Sequence, residues 1–118
     1  MTRFLILCLF VASVACEDSD DSYSESVKLA AVKCGQSPSK MDWLRDLIKS
    51  SEQDVSFSGN IYAVTVDGDV IFIHQPAVMS CMACVMYDCD GNRIDRSAVD
   101  LRKVIDAMRP SAVIYSPY

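Results

Sequence analysis

The spacing of the cysteines is the strongest constraint on how this chain folds. Three of its six cysteines, Cys81, Cys84 and Cys89, lie within nine residues, and Cys34 stands well before them. In an oxidising compartment these four residues form two disulfides in one of three connectivities. A bridge to Cys34 closes a long loop and is therefore expected to contribute most to stability.

The first 15 residues have the pattern of a signal peptide. A positively charged start, Met1-Thr-Arg3, precedes an apolar run from Phe4 to Val14 that is too short to cross a bilayer. We therefore predict a leader over residues 1–15 and a mature chain that lies in an oxidising compartment.

Cys16 is predicted to carry a lipid. Lipidation, or cleavage just after Cys16, leaves an even set of four cysteines in the mature chain. The acidic run from Glu17 to Ser22 resembles the export tag that follows the lipidated cysteine of Bacteroidota surface lipoproteins. Residues 16–26 then form an acidic flexible tether, and the expected location is the outer membrane or cell surface. Ser13 departs from the usual lipidation motif, so plain secretion is the alternative.

The charge of the remaining chain argues against nucleic acid as a partner. Five of the 16 acidic residues lie between Glu17 and Glu25, and Arg3 belongs to the leader. The other residues carry 11 acids and 10 bases, with no basic block that would neutralise phosphates.

Two helices are predicted for the domain over residues 27–118. Ser39 begins the first, whose apolar stripe comprises Trp43, Leu44, Leu47 and Ile48. Ser97 begins the second, and Pro110 ends it. Residues 24–33 fit either an edge strand or a short helix.

Asp67-Gly68 predicts a β-hairpin between residues 61–66 and 69–75. A two-residue turn pairs Val64 with Ile71 and Tyr62 with Ile73, and both faces of the hairpin are substantially apolar. Two further strands are expected, at residues 85–87 and 112–115. The order of elements predicts a two-layer α+β domain, in which two helices pack on one face of a mostly antiparallel sheet of about four strands.

Three segments carry a resemblance to known sequences. They are Trp43-Leu44-x-x-Leu47-Ile48, Tyr87-Asp88-Cys89-Asp90-Gly91-Asn92 and Ile114-Tyr115-Ser116. Together they resemble a group of small exported Bacteroidota lipoproteins with no assigned function. The resemblance implies fold and location, and carries over no catalytic residue.

The loop around Cys81 and Cys84 supports a second hypothesis. Cys-x-x-Cys is a redox spacing, although no helix follows here to lower the pKa of the first thiol. Together with Met79, the two cysteines resemble the metal loop of heavy-metal-associated domains, whose soft sulfur ligands suit Cu(I). Met79, Met82 and Met86 fit either an adaptable binding surface or the filling of gaps beside the disulfides.

The remaining polar residues give weaker indications. Asp88, Asp90, Asn92 and Asp95 lack the glycine position of a calcium-binding EF-hand loop, so a solvated turn is expected. His74, the only histidine, has no nucleophile at motif spacing.

The leading hypothesis is a non-enzymatic lipoprotein domain of binding or structural role, with no catalytic residue, no cofactor and no resident metal. Its expected partners are the membrane, through Cys16, and an unidentified protein or small molecule.

Overall fold

A computed structural model describes residues 24–118 of the chain. The predicted leader and Cys16 lie outside this range, as does most of the predicted tether. The helices are α1 (Glu25–Cys34), α2 (Asp42–Gln53) and α3 (Leu101–Ala107), and the strands are β1 (Gly59–Val66), β2 (Asp69–Pro76), β3 (Met86–Tyr87) and β4 (Val113–Tyr115). None of the described helices combines the length and apolar character needed to cross a bilayer.

The predicted α+β class is confirmed. The four strands form one antiparallel sheet in the order β3-β2-β1-β4. The predicted hairpin register is also confirmed, with Val64 opposite Ile71 and Tyr62 opposite Ile73. Asp67 and Gly68 both adopt positive φ, at 51° and 86°, which is the geometry of a two-residue turn that matches the twist of its strands.

The prediction that both expected helices pack on one face is wrong. Helices α1 and α2 cover the face of Ile61, Ala63 and Phe72, where Val27 and Leu44 are completely buried. Helix α3 covers the opposite face through Val104, which packs with Val64 and Ile73. The domain therefore has three layers, because the hairpin is apolar on both sides and each side has to be covered.

Residues 24–33 form a helix rather than an edge strand, and the folded part starts earlier than the predicted boundary at residue 27. Ser24 caps α1, and its hydroxyl accepts a hydrogen bond from the Val27 N–H at 3.4 Å. Val27, Ala30 and Ala31 are buried at helical spacing. The Ser26 hydroxyl donates to the Ile114 carbonyl at 2.6 Å, which joins the predicted end of the tether to β4.

Both predicted helix starts are displaced towards the C-terminus. Ser39 lies in a 3-10 turn over Pro38–Met41, and α2 begins at Asp42. Asp100, rather than Ser97, caps α3: its carboxylate accepts from the N–H groups of Arg102 and Lys103. In each case the serine that was predicted to cap the helix lies inside a 3-10 turn that precedes it.

Candidate functional site

The segment between β2 and β3 leaves the sheet in a tight turn. The Met79 N–H donates to the Pro76 carbonyl at 3.0 Å, and the Ala77 N–H donates to the Ser58 carbonyl at 2.9 Å. Proline cannot continue the ladder in the sheet interior, so the chain turns away at the end of β2. Residues 77–85, called the Cys81–Cys84 loop below, contain no regular helix or strand.

Cys81 and Cys84 are joined by a disulfide that encloses Met82 and Ala83. Their Cα atoms lie 5.8 Å apart, and both cysteines are partly exposed. Ala83 adopts a left-handed backbone conformation, with φ of 54°, and is completely buried beside Met86 and Ile73. The loop is thus inserted into the core at Ala83, while its two cysteines stay near the surface.

The side chain of Gln75, on β2, fixes the path of this loop. Its Nε2 donates to the carbonyls of Cys81 and Met79 at 3.0 and 3.2 Å, and its Oε1 accepts from the Ala83 N–H at 3.1 Å. One amide therefore satisfies three backbone groups that belong to no sheet or helix. The loop is held by these hydrogen bonds as well as by its disulfide.

The loop that carries this disulfide also exposes apolar side chains. Val78, Met79 and Met82 are 70, 38 and 46% exposed, and we call them the apolar rim. Met86, in contrast, is completely buried. The methionines therefore divide between the two roles predicted for them: Met86 fills the core, whereas Met79 and Met82 form part of a surface.

Cys84 also lines a groove that contains charged residues. A groove of about 420 Å³ is lined by Cys84, Arg93, Ile94, Asp95 and Arg96. The Arg93 guanidinium donates to the Cys84 carbonyl at 3.5 Å and lies 5.7 Å above the ring centre of Tyr87. Two of the three charged residues in this groove are cationic, so Cys84 faces a locally positive surface.

The second disulfide joins Cys34, at the end of α1, to Cys89. It links residues 55 positions apart in the sequence and resolves the three connectivities that were left open. The Trp43 indole N–H donates to the Cys89 carbonyl at 3.1 Å, and its ring packs against Phe72 and Tyr87. Cys89 is therefore attached to both helices of one layer, and the bridge has a clear structural role.

The Asp88 carboxylate stabilises the turn around Cys89. One Asp88 oxygen accepts from the N–H groups of Asp90 and Asn92, both at 2.9 Å. Gly91 adopts a φ of 84° and lies against Trp43. The expected solvated turn is thus an Asx turn packed on the indole, and no group of three or more His, Cys, Asp or Glu suited to a metal ion occurs in residues 24–118.

His74 is only 1% exposed and lies in the apolar face of the hairpin. Its Nε2 is 2.8 Å from the Phe57 carbonyl, so Nε2 carries the proton, and the two rings are stacked. Its Nδ1 is buried and has no hydrogen-bond partner within the described residues. Burial lowers the pKa of His74, because the charged form would lose its hydration.

The redox and copper hypotheses both depend on whether the Cys81–Cys84 disulfide is closed or open. The sulfurs of Cys81 and Cys84 are bonded to each other, so neither offers the thiolate that Cu(I) binds. Binding of Cu(I) by Met79, Cys81 and Cys84 stays a prediction for the reduced protein. The loop does not start a helix, which removes the usual cause of a lowered thiol pKa, but Arg93 and Arg96 supply positive charge near Cys84.

Comparison with known proteins gives no match: no family model, no curated protein and no solved structure is significantly similar to this chain.

Proposed function

We propose that this chain is an exported, non-enzymatic domain that is tethered to the outer membrane or cell surface by a lipid on Cys16. We also propose that it binds another exported protein at the Cys81–Cys84 loop. The observation that carries the proposed export is the pairing of all four cysteines of residues 24–118 in two disulfides. Bridges of this kind persist in oxidising compartments.

The same pairing bears on Cys16. Because the four other cysteines that follow the leader pair among themselves, Cys16 would have no partner of its own chain if it stayed a free thiol. Lipidation or removal resolves this parity. The acidic residues after Cys16 favour lipidation, with the tether carrying the domain away from the membrane.

The apolar rim supports a binding role at the other end of the sheet from the hairpin turn. Three apolar side chains, Val78, Met79 and Met82, are exposed in one short loop. Methionine is unbranched and polarizable, so it adapts to differing partner surfaces. Because these side chains are anchored on a loop fixed by Gln75, the surface is available without a folding step.

The described contacts of His74 argue against a hydrolase that uses this histidine as its base. A hydrolase would need a hydroxyl or thiol within hydrogen-bond reach of this ring. Its Nε2 is instead bonded to the Phe57 carbonyl, and its Nδ1 has no partner in the described part of the chain.

Metabolic labelling with a fatty acid tests the tether. We expect the wild-type protein to incorporate the label and to fractionate with membranes, and Cys16→Ala to lose the label. Cys8→Ala, which alters a cysteine within the predicted leader, is the matched control and should keep it. An unlabelled, soluble wild-type protein would contradict the tether and leave plain secretion as the mode of export.

A further inference from the structure

We propose that the Cys81–Cys84 disulfide is a thiol–disulfide exchange site that accepts two electrons from a dithiol of another exported protein. This inference rests on the proposed export to an oxidising compartment, and it identifies the chemistry of the partner. The exchange is stoichiometric, so it is compatible with a binding domain that does not turn over a substrate.

The two disulfides have different structural roles. Cys34–Cys89 joins residues 55 positions apart, whereas Cys81–Cys84 joins residues separated by three positions. Closing the short loop removes less entropy from the unfolded chain than closing the long one. The path of the loop is secured independently by Gln75 and by the burial of Ala83. Opening this bridge therefore leaves the three layers of the fold in place.

The Cys81–Cys84 disulfide is accessible from solvent. Cys81 and Cys84 are both partly exposed, and Met82, between them, is 46% exposed. An attacking thiolate has to reach a disulfide sulfur from the side opposite the bond that breaks, so a bridge in a surface loop is open to exchange. The apolar rim of the same loop supplies surface for contact with the partner while it reacts.

The two sulfurs of this bridge have different surroundings. Cys84 lines the groove that holds Arg93, Arg96 and Asp95, and two of these three charges favour a thiolate there. The leaving sulfur departs as a thiolate, so positive charge beside it favours its departure. Cys81, which does not line that groove, is therefore the sulfur that is attacked, and Cys84 is the sulfur that leaves.

The exchange balances in two steps. A thiolate of the partner attacks the Cys81 Sγ; a partner–Cys81 disulfide forms, the Cys81–Cys84 bond breaks, and Cys84 departs as a thiolate. The second thiolate of the partner then attacks the partner's sulfur in this mixed disulfide and releases the Cys81 thiolate. The partner loses two electrons and gains a disulfide, and this chain gains two thiols after protonation from water.

A monothiol probe tests which sulfur is attacked. The oxidised, purified protein is incubated with reduced glutathione, quenched with iodoacetamide and mapped by peptide mass. We expect glutathione on Cys81, the alkyl group on Cys84, and Cys34–Cys89 intact. Glutathione mainly on Cys84 would overturn the assigned roles, and a Cys81–Cys84 bridge that opens no sooner than Cys34–Cys89 would overturn the exchange site itself.

Charge removal tests the role of the groove. The double variant Arg93→Gln and Arg96→Gln should open with dithiothreitol roughly threefold more slowly, because it lacks the positive charge that stabilises the departing thiolate. Arg102→Gln, an exposed change on α3 away from the groove, is the matched control. Circular dichroism verifies that each variant is folded. Equal rates in the double variant and the control would contradict the assignment of Cys84 as the leaving sulfur.

Failure of this inference is distinguishable from failure of the proposed function. The exchange assays use the purified protein in solution, and fatty-acid labelling uses cells. A labelled lipoprotein whose bridge resists thiols would remove the exchange site and leave the tether standing. An unlabelled protein with a reactive bridge would do the reverse.

Discussion

The backbone N–H of Ala83 donates to the side-chain oxygen of Gln75 at 3.1 Å, which fixes a buried alanine in a left-handed conformation. A residue other than glycine seldom adopts positive φ unless its surroundings determine it. Here the surroundings are one amide from β2 and the core around Met86. The Cys81–Cys84 loop therefore has a defined shape that its disulfide alone would not impose.

Gln75→Leu should destabilise the domain, because it removes three hydrogen bonds and leaves backbone groups of the loop without partners. We expect a loss of about 2 kcal/mol in the free energy of unfolding, measured by urea denaturation. Gln53→Leu, at the exposed end of α2, is the matched control and should change it by less than about 0.5 kcal/mol. Equal effects of the two changes would contradict the role given to Gln75.

Gly91→Ala should cost more stability than Gly68→Ala. Both glycines have similar positive φ, 84° and 86°, so both substitutions bear backbone strain of about 1–2 kcal/mol. An added Cβ at Gly91 would lie 2.5 Å from the Trp43 Cγ, whereas the same atom at Gly68 meets nothing within 4 Å. The difference between the two variants in thermal denaturation measures the contact with the indole. Equal stability losses would show that Trp43 does not pack closely on this turn.

The two disulfides should differ in their contribution to stability. Loop-closure entropy predicts a loss of about 4 kcal/mol when Cys34 and Cys89 are both changed to Ala, and about 2 kcal/mol when Cys81 and Cys84 are changed. Urea denaturation of the two double variants, each with its other bridge oxidised, checks this order. A larger loss from the short bridge would contradict the view that Gln75 and Ala83 maintain the loop without it.

The stability of the domain should fall as the pH drops below about 6.5, the ordinary pKa of histidine. Burial lowers the pKa of His74 in the folded state, so between the lowered value and about 6.5 the unfolded chain binds a proton that the folded chain does not. This stability is fully present above pH 6.5 and is lost as the pH falls towards the folded pKa. His74→Gln keeps a donor for the Phe57 carbonyl and should remove this part of the pH dependence. Carboxylate titration at lower pH is shared by both proteins, so an unchanged slope between pH 6.5 and 5 would contradict the assignment to His74.

The sequence predicted local structure where short-range chemistry decides it. Asp67-Gly68 specified the hairpin and its register, because the turn requires two residues of positive φ. The side of the sheet on which α3 packs was not predictable, since both faces of the hairpin are apolar. The pairing of Cys34 with Cys89 was likewise hidden: their Cα atoms approach to 5.8 Å only after α1 and the Asp88 turn meet at Trp43.

The candidate site was predictable in composition but not in arrangement. The cysteine spacing pointed to residues 81–84, and the structure places a disulfide there. The contribution of Gln75 had no signal in the sequence, because its three backbone partners are four to eight residues away along an irregular path. The positive groove beside Cys84 arises because the chain turns at Asp88 and returns beside β3, where Arg93 pairs with Tyr87.

The most direct test of the central claim is the intact mass of the natively exported protein, alkylated without reduction. An oxidised lipoprotein predicts a mass that includes acyl chains on Cys16 and carries no alkyl groups, with both disulfides closed. A mass without lipid, carrying alkyl groups on the cysteines of both bridges, would contradict the tether and the disulfide-stapled domain together.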